Sequence, residues 1–125
     1  MAIRVLALCC AALLLLVGCA SNLPQTRESV SWVMENDYPR TIMVEFYSQD
    51  RNAAWPGGNE AYVLWPGETE TFNLSCRTTE KICYGAWVQD NPDIYWGVGM
   101  GDYEGCADCC MRCMEGARTG YSLSD

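Results

Sequence analysis

Six cysteines, Cys76, Cys83, Cys106, Cys109, Cys110 and Cys113, are the side chains of this 125-residue chain best equipped for chemistry. Four of them lie in one run, Cys106-Ala107-Asp108-Cys109-Cys110-Met111-Arg112-Cys113. Sulfur at this density can form disulfides, hold a soft metal, or exchange electrons. Wound as a helix, the run would put its sulfurs at i, i+3, i+4 and i+7 on one face. They would then spread over roughly 10 Å at a rise of about 1.5 Å per residue, which suits tetrahedral zinc or an iron–sulfur cluster poorly. Asp108, inside the Cys106-x-x-Cys109 spacing, would raise a thiol pKa and so works against a reactive thiolate. Disulfides are the expectation, and no metal or other cofactor is called for. Two pairings compete. If residues 69–76 and 82–89 form a hairpin with Cys76 opposite Cys83, Leu74 faces Gly85 and Phe72 faces Trp87, which favours a Cys76–Cys83 bridge with the cluster pairing within itself. Alternatively the cluster docks on the sheet and bonds to Cys76 and Cys83. Adjacent Cys109 and Cys110 are poorly placed to bond each other.

The remaining catalytic vocabulary is thin. There is no histidine, which removes every Ser-His and Cys-His arrangement and the commonest general base. Lys81 is the only lysine. Carboxylate pairs occur (Asp90 with Asp93, Asp102 with Glu104) and a glycosidase needs such a pair, but a chain this acidic supplies them by chance. Asp90 and Asp93 flank a turn before they suggest calcium. The aromatic side chains mostly read as core. Were some to form a platform for a sugar ring, Trp55 and Trp96, at strand ends or loops, are the candidates.

The strongest signal is at the N-terminus. Met1-Ala2-Ile3-Arg4 carries one positive side chain, and residues 5–17 are uncharged around Leu13-Leu14-Leu15-Leu16. That is the length of a secretory apolar region and short of the roughly twenty residues a spanning helix wants. It ends in Leu16-Val17-Gly18-Cys19, which resembles the lipobox of bacterial lipoprotein precursors. The resemblance covers only the first twenty or so residues. It implies diacylglyceryl transfer to the Cys19 sulfur, cleavage before Cys19, acylation (palmitate) of the new amino group, and attachment to the cell envelope. Two or more acyl chains anchor stably, each buried methylene contributing about 0.8 kcal/mol. Ala20 after the cysteine points to the outer membrane in the enteric sorting rule. Cys9 and Cys10 fall in the discarded segment.

Without the signal the chain has seven basic and sixteen acidic side chains, a net charge of −9 against −8 for the whole. That field opposes nucleic acid, which is not expected as a partner. The partners implied are the membrane, through Cys19, and an envelope protein or glycan.

Elements able to position these residues are short. Residues 20–28 lack periodicity and read as a tether. Strand patterns follow at 30–34, 41–48, 61–65, 69–76, 82–89 and 94–101, with polar or Pro-Gly turns between them. The first two look like a hairpin about Asn36-Asp37-Tyr38-Pro39. Trp55-Pro56-Gly57 and Trp65-Pro66-Gly67 read as two type II corners. Gly97, Gly99 and Gly101 alternate, predicting a bare lane in a strand on which Trp87 lies flat. The fold expected is all-β: a small disulfide-stapled β-sandwich or barrel of about six strands with a short cysteine-rich C-terminal segment. The organisation is signal peptide 1–18, lipidated cysteine and tether 19–28, domain with cysteine cluster 29–113, and flexible tail 114–125. The function expected is a non-catalytic binding or structural module. The rivals are a metal-binding or thiol-redox protein built on the cluster and a small carboxylate hydrolase acting on envelope glycans.

Overall fold

A computed structural model describes residues 27–125. The apolar run 5–17, the 16–19 box with Cys19, and residues 20–26 of the expected tether lie outside the described residues; Arg27 and Glu28, expected as the end of that tether, are the first residues of a strand.

The described chain is all-β, in two open sheets stacked as a sandwich; neither closes into a barrel. Its strands are β1 (Arg27–Asn36), β2 (Ile42–Ser48), β3 (Ala54–Trp55), β4 (Tyr62–Leu64), β5 (Thr69–Arg77), β6 (Lys81–Val88), β7 (Asn91–Gly97), β8 (Cys110–Arg112) and β9 (Arg118–Leu123). The smaller sheet has the order β5-β1-β9. In the larger, β2 and β6 pair centrally; β3 and β4 share the outer edge of β2, and β7 and β8 share the outer edge of β6. All six expected strands are present, and β3, β8 and β9 are additional.

Alternation sets the core. Val30, Trp32 and Met34 of β1 and Ile42, Val44 and Phe46 of β2 are buried, while their neighbours in sequence face outward or sit at intermediate depth. Trp32 lies at the centre, its ring 5.2 Å from Phe46 and stacked on Tyr121 at 5.9 Å. Burial of each such side chain contributes about 1.5–3 kcal/mol.

Several expected connections differ. β1 and β2 do not form a hairpin: residues 37–41 carry the chain from one layer to the other, and β1 pairs with β5 and β9 instead. The Asn36 turn chemistry is present but serves that crossing. The buried Asn36 amide donates to Arg40 O and Leu64 O, both at 2.9 Å, and its Oδ1 accepts from the Tyr38 amide at 2.9 Å. The second Pro-Gly corner forms as expected, with Gly67 at φ 78° and the Glu68 amide donating to Trp65 O at 3.0 Å. The first differs: its Trp55–Pro56 peptide is cis.

β5 and β6 are likewise not a hairpin. They belong to opposite sheets, so the Leu74–Gly85 register and the Cys76–Cys83 bridge do not form. Cys76 alternates with Leu74 into the sandwich, whereas Cys83 sits in register with outward-facing Tyr47. The competing pairing holds in part: Cys76 bonds Cys113 and Cys83 bonds Cys110, with Cys106–Cys109 closing a loop. The cluster is not helical. Its Cys110–Arg112 portion is β8, paired to β6 with Cys110 opposite Cys83.

The link between β5 and β6 is held by a buried charge. Glu80, 3% exposed, accepts hydrogen bonds from Ser48 Oγ (2.6 Å), the Arg77 amide (3.0 Å) and both ends of the Arg51 guanidinium. Burial alone would raise the Glu80 carboxyl; the Arg51, Ser48 and Arg77 hydrogen bonds and the Arg51 charge outweigh it and bring it down to about 2.

The segment 114–125, expected as a loose tail, contains β9. It runs parallel to β1, its Thr119, Tyr121 and Leu123 aligned with Trp32, Met34 and Asn36. Leu123 is fully buried.

Two outcomes follow. Leu123→Ala should lower unfolding free energy by about 2–4 kcal/mol in urea titration, as for a buried leucine; a change below about 0.5 kcal/mol would mean a loose tail. Because the folded Glu80 carboxyl lies below the ordinary value of 4.5, its contribution is complete above that pH and is lost as pH falls from 4.5 toward about 2. Midpoints measured across that window should drop in the native chain and drop less in Glu80→Gln, which is already destabilised by about 1–3 kcal/mol at neutral pH.

Candidate functional site

The outward face of the larger sheet carries an apolar row four strands wide. Register places Val63 beside Met43, Met43 beside Trp87, and Trp87 beside Tyr95. The adjoining row is Glu45, Gly85 and Gly97, and the next is Tyr47, Cys83 and Cys110. The glycines expected as a strand lane do something else. β7 ends at Gly97, and Gly97, Gly99 and Gly101 all take positive φ (62°, 66° and 76°), which returns the chain over the sheet. Gly85 admits it: a Cβ there would lie 2.1 Å from Gly99 O. The Gly101 amide then donates to Tyr47 Oη at 3.0 Å, and Met100–Asp102 forms a 3-10 turn.

That turn is one wall of a groove, and residues 51–61 between β2 and β4 supply the other. The groove encloses about 750 Å³ over Met43, Glu45, Tyr47 and Trp87. Glu45, Glu60 and Asp102 line it, against a single cation, Arg51, whose guanidinium is engaged by Glu80. Burial raises the Glu45 carboxyl, and its hydrogen bond with Tyr47 pulls the other way. Burial likewise raises the Tyr47 phenol, keeping it a neutral hydrogen-bonding group. The groove therefore combines an apolar floor, a hydroxyl and a carboxylate with weakened hydration. It can take a ring or chain with apolar faces plus hydroxyl or amine groups, and it repels anions.

The two tryptophans singled out from the sequence do not meet there. Trp55 lines a second cleft of about 290 Å³ together with Arg27, Arg51 and Arg77. Its indole N–H donates to Ser75 O at 3.1 Å, and Arg51 lies 5.7 Å from its ring centroid. Trp96 packs edge-on against Tyr38 and donates to Ser124 O at 2.9 Å, tying down the chain end. The carboxylate pairs are separately engaged: Asp90 with Arg40, Asp102 with Gln49, Glu104 with Tyr95.

All six disulfide candidates meet at the β6–β8 corner and the adjoining end of β5. Alternation along the strand expected at 41–48 puts Met43, Glu45 and Tyr47 on one face. The wall over this face was not foreseen, because its signal, Gly97, Gly99 and Gly101, reads equally as extended chain. No protein-family model, curated protein or solved structure matches this chain.

Proposed function

We infer that this chain is a bacterial envelope lipoprotein, held to the outer membrane by acyl chains on Cys19, whose domain is a non-catalytic binding module for a neutral or amine-bearing saccharide. The observation that carries the binding reading is the groove on the larger sheet, where Trp87, Glu45 and Tyr47 are brought together. Met43, half-buried on the groove floor, suits the apolar face of a sugar ring, while the carboxylate and phenol suit its hydroxyl or amine groups.

The layout of charge supports the same reading. Arg27, Arg77 and Arg118 point outward from the smaller sheet, among Ser29, Ser31, Asn73 and Ser75. The groove, lined by Glu45, Glu60 and Asp102, opens on the opposite face of the sandwich.

Two measurements test these parts separately. The mature N-terminal peptide from membrane extracts should begin at Cys19 and carry diacylglycerol plus amide-linked acyl mass; an unacylated N-terminus elsewhere overturns the anchor. For the groove, tryptophan fluorescence should respond to glucosamine oligomers and, more weakly, to N-acetylglucosamine oligomers, but not to uronic acid oligomers. Glu45→Gln should weaken glucosamine-oligomer binding by about tenfold, the loss of one charge-assisted hydrogen bond. Since the Glu45 carboxyl is raised, that binding should also strengthen as pH climbs above the ordinary glutamate range. Equal response to uronic acid oligomers, or no effect of Glu45→Gln, sinks the groove assignment.

A further inference from the structure

Three sulfurs of two different disulfides lie together at the β6–β8 corner. The Sγ atoms of Cys83, Cys109 and Cys110 are all within 4.8 Å of one another, and Cys109 Sγ is 3.8 Å from Cys110 Sγ. The two bridges differ in access. Cys106 is exposed, on the segment between the 3-10 turn and β8, whereas Cys109 and Cys83 are buried. The backbone at the junction is fixed: the Tyr84 amide donates to Cys109 O at 3.0 Å and Tyr121 Oη to Asp108 O at 2.6 Å. A sulfur freed at Cys109 would therefore stay beside the inner bridge.

We propose that these residues form a thiol–disulfide exchange site, in which a small-molecule thiol opens Cys106–Cys109 at the surface and the freed Cys109 displaces Cys110 from Cys83. In the first step the external thiolate attacks exposed Cys106 Sγ; a mixed disulfide forms there and Cys109 leaves as thiolate. Access selects this sulfur. In the second step Cys109 attacks Cys83 Sγ, the Cys83–Cys109 bond forms, the Cys83–Cys110 bond breaks, and Cys110 takes up a proton. Attack on Cys110 instead would join adjacent residues, which disulfide geometry disfavours. A second external thiol clears the mixed disulfide from Cys106. Two thiols become one external disulfide, and the protein gains two protons and two electrons as free Cys106 and Cys110. The covalent tie from β6 thereby passes from Cys110 to Cys109, while the backbone hydrogen bonds of the junction stay in place. Buried Cys76–Cys113 takes no part and keeps the layers joined.

The test uses the mature chain in graded mixtures of reduced and oxidised glutathione, quenched with acid, alkylated and digested without reduction. The species that has lost one disulfide should contain Cys83–Cys109 and Cys76–Cys113 linked peptides, with Cys106 and Cys110 alkylated. Finding Cys106 and Cys109 alkylated with Cys83–Cys110 intact, or a Cys109–Cys110 link, overturns the proposal. In a Cys106→Ala/Cys109→Ala chain, Cys83–Cys110 should open at least about tenfold more slowly at the same thiol concentration, because its internal nucleophile is gone. An unchanged opening rate overturns the relay. Should that variant fail to fold, the linkage map of the native chain decides alone.

Discussion

β6 is the strand on which the rest of the structure leans, because it is covered on both faces. From Ile82 to Val88 every residue is buried. One face meets the smaller sheet across the core; the other lies under the returning chain at 97–102 and the cysteine corner. A strand buried on both sides must read as a continuous apolar run, and 82–88 does. The consequence is that the larger sheet cannot present a flat, solvated outer face. Whatever covers Cys83 and Gly85 leaves the neighbouring strip over Met43, Glu45, Tyr47 and Trp87 as a groove.

Two polar residues make the layer crossings on either side of β2 and β6 possible. A chain passing between sheets leaves backbone groups that no ladder satisfies, and burying them unpaired is costly. Asn36 answers this after β1: its side chain supplies two donors and one acceptor to three separate backbone groups. Before β6, Glu80 satisfies one such group, the Arg77 amide, and accepts from the Arg51 and Ser48 side chains as well. Both sit where a hairpin turn would otherwise be expected, and both are buried. Cys76–Cys113 fixes the same region covalently, a contribution of about 2–5 kcal/mol in a domain this small.

Strand content was legible from alternation and turn chemistry, since these are local properties. Pairing was not. Residues 30–34 and 41–48 flank an Asx turn that suits a hairpin, and nothing within that window reveals that β5 and β9 are the true neighbours of β1. β9 itself escaped notice for a physical reason: Gly116 and Gly120 argue against a strand, and only burial beside Trp32 and Met34 makes Tyr121 and Leu123 core residues. The cysteine pairing turned on the same point. Cys76 and Cys83 face each other in a hairpin but point to different sides of a sheet once β5 and β6 separate. The groove was half legible, because Met43, Glu45 and Tyr47 share a face by alternation alone. Its wall depends on three positive-φ glycines, whose spacing is equally that of an extended strand.

The sulfur corner also fixes the order in which its other chemistries can arise. Around a tetrahedral ion with metal–sulfur bonds of about 2.3 Å, neighbouring sulfurs stand roughly 3.8 Å apart. Cys109 and Cys110 already have that separation, and Cys83 lies within 4.8 Å of both. These sulfurs are joined in disulfides, however, and a disulfide sulfur has no thiolate charge with which to bind a cation. Ligation by the three therefore requires reduction of both bridges. The first reducing equivalents meet Cys106 first, because it alone of the four is exposed. Any metal ligation by these three sulfurs would therefore come after both bridges had opened.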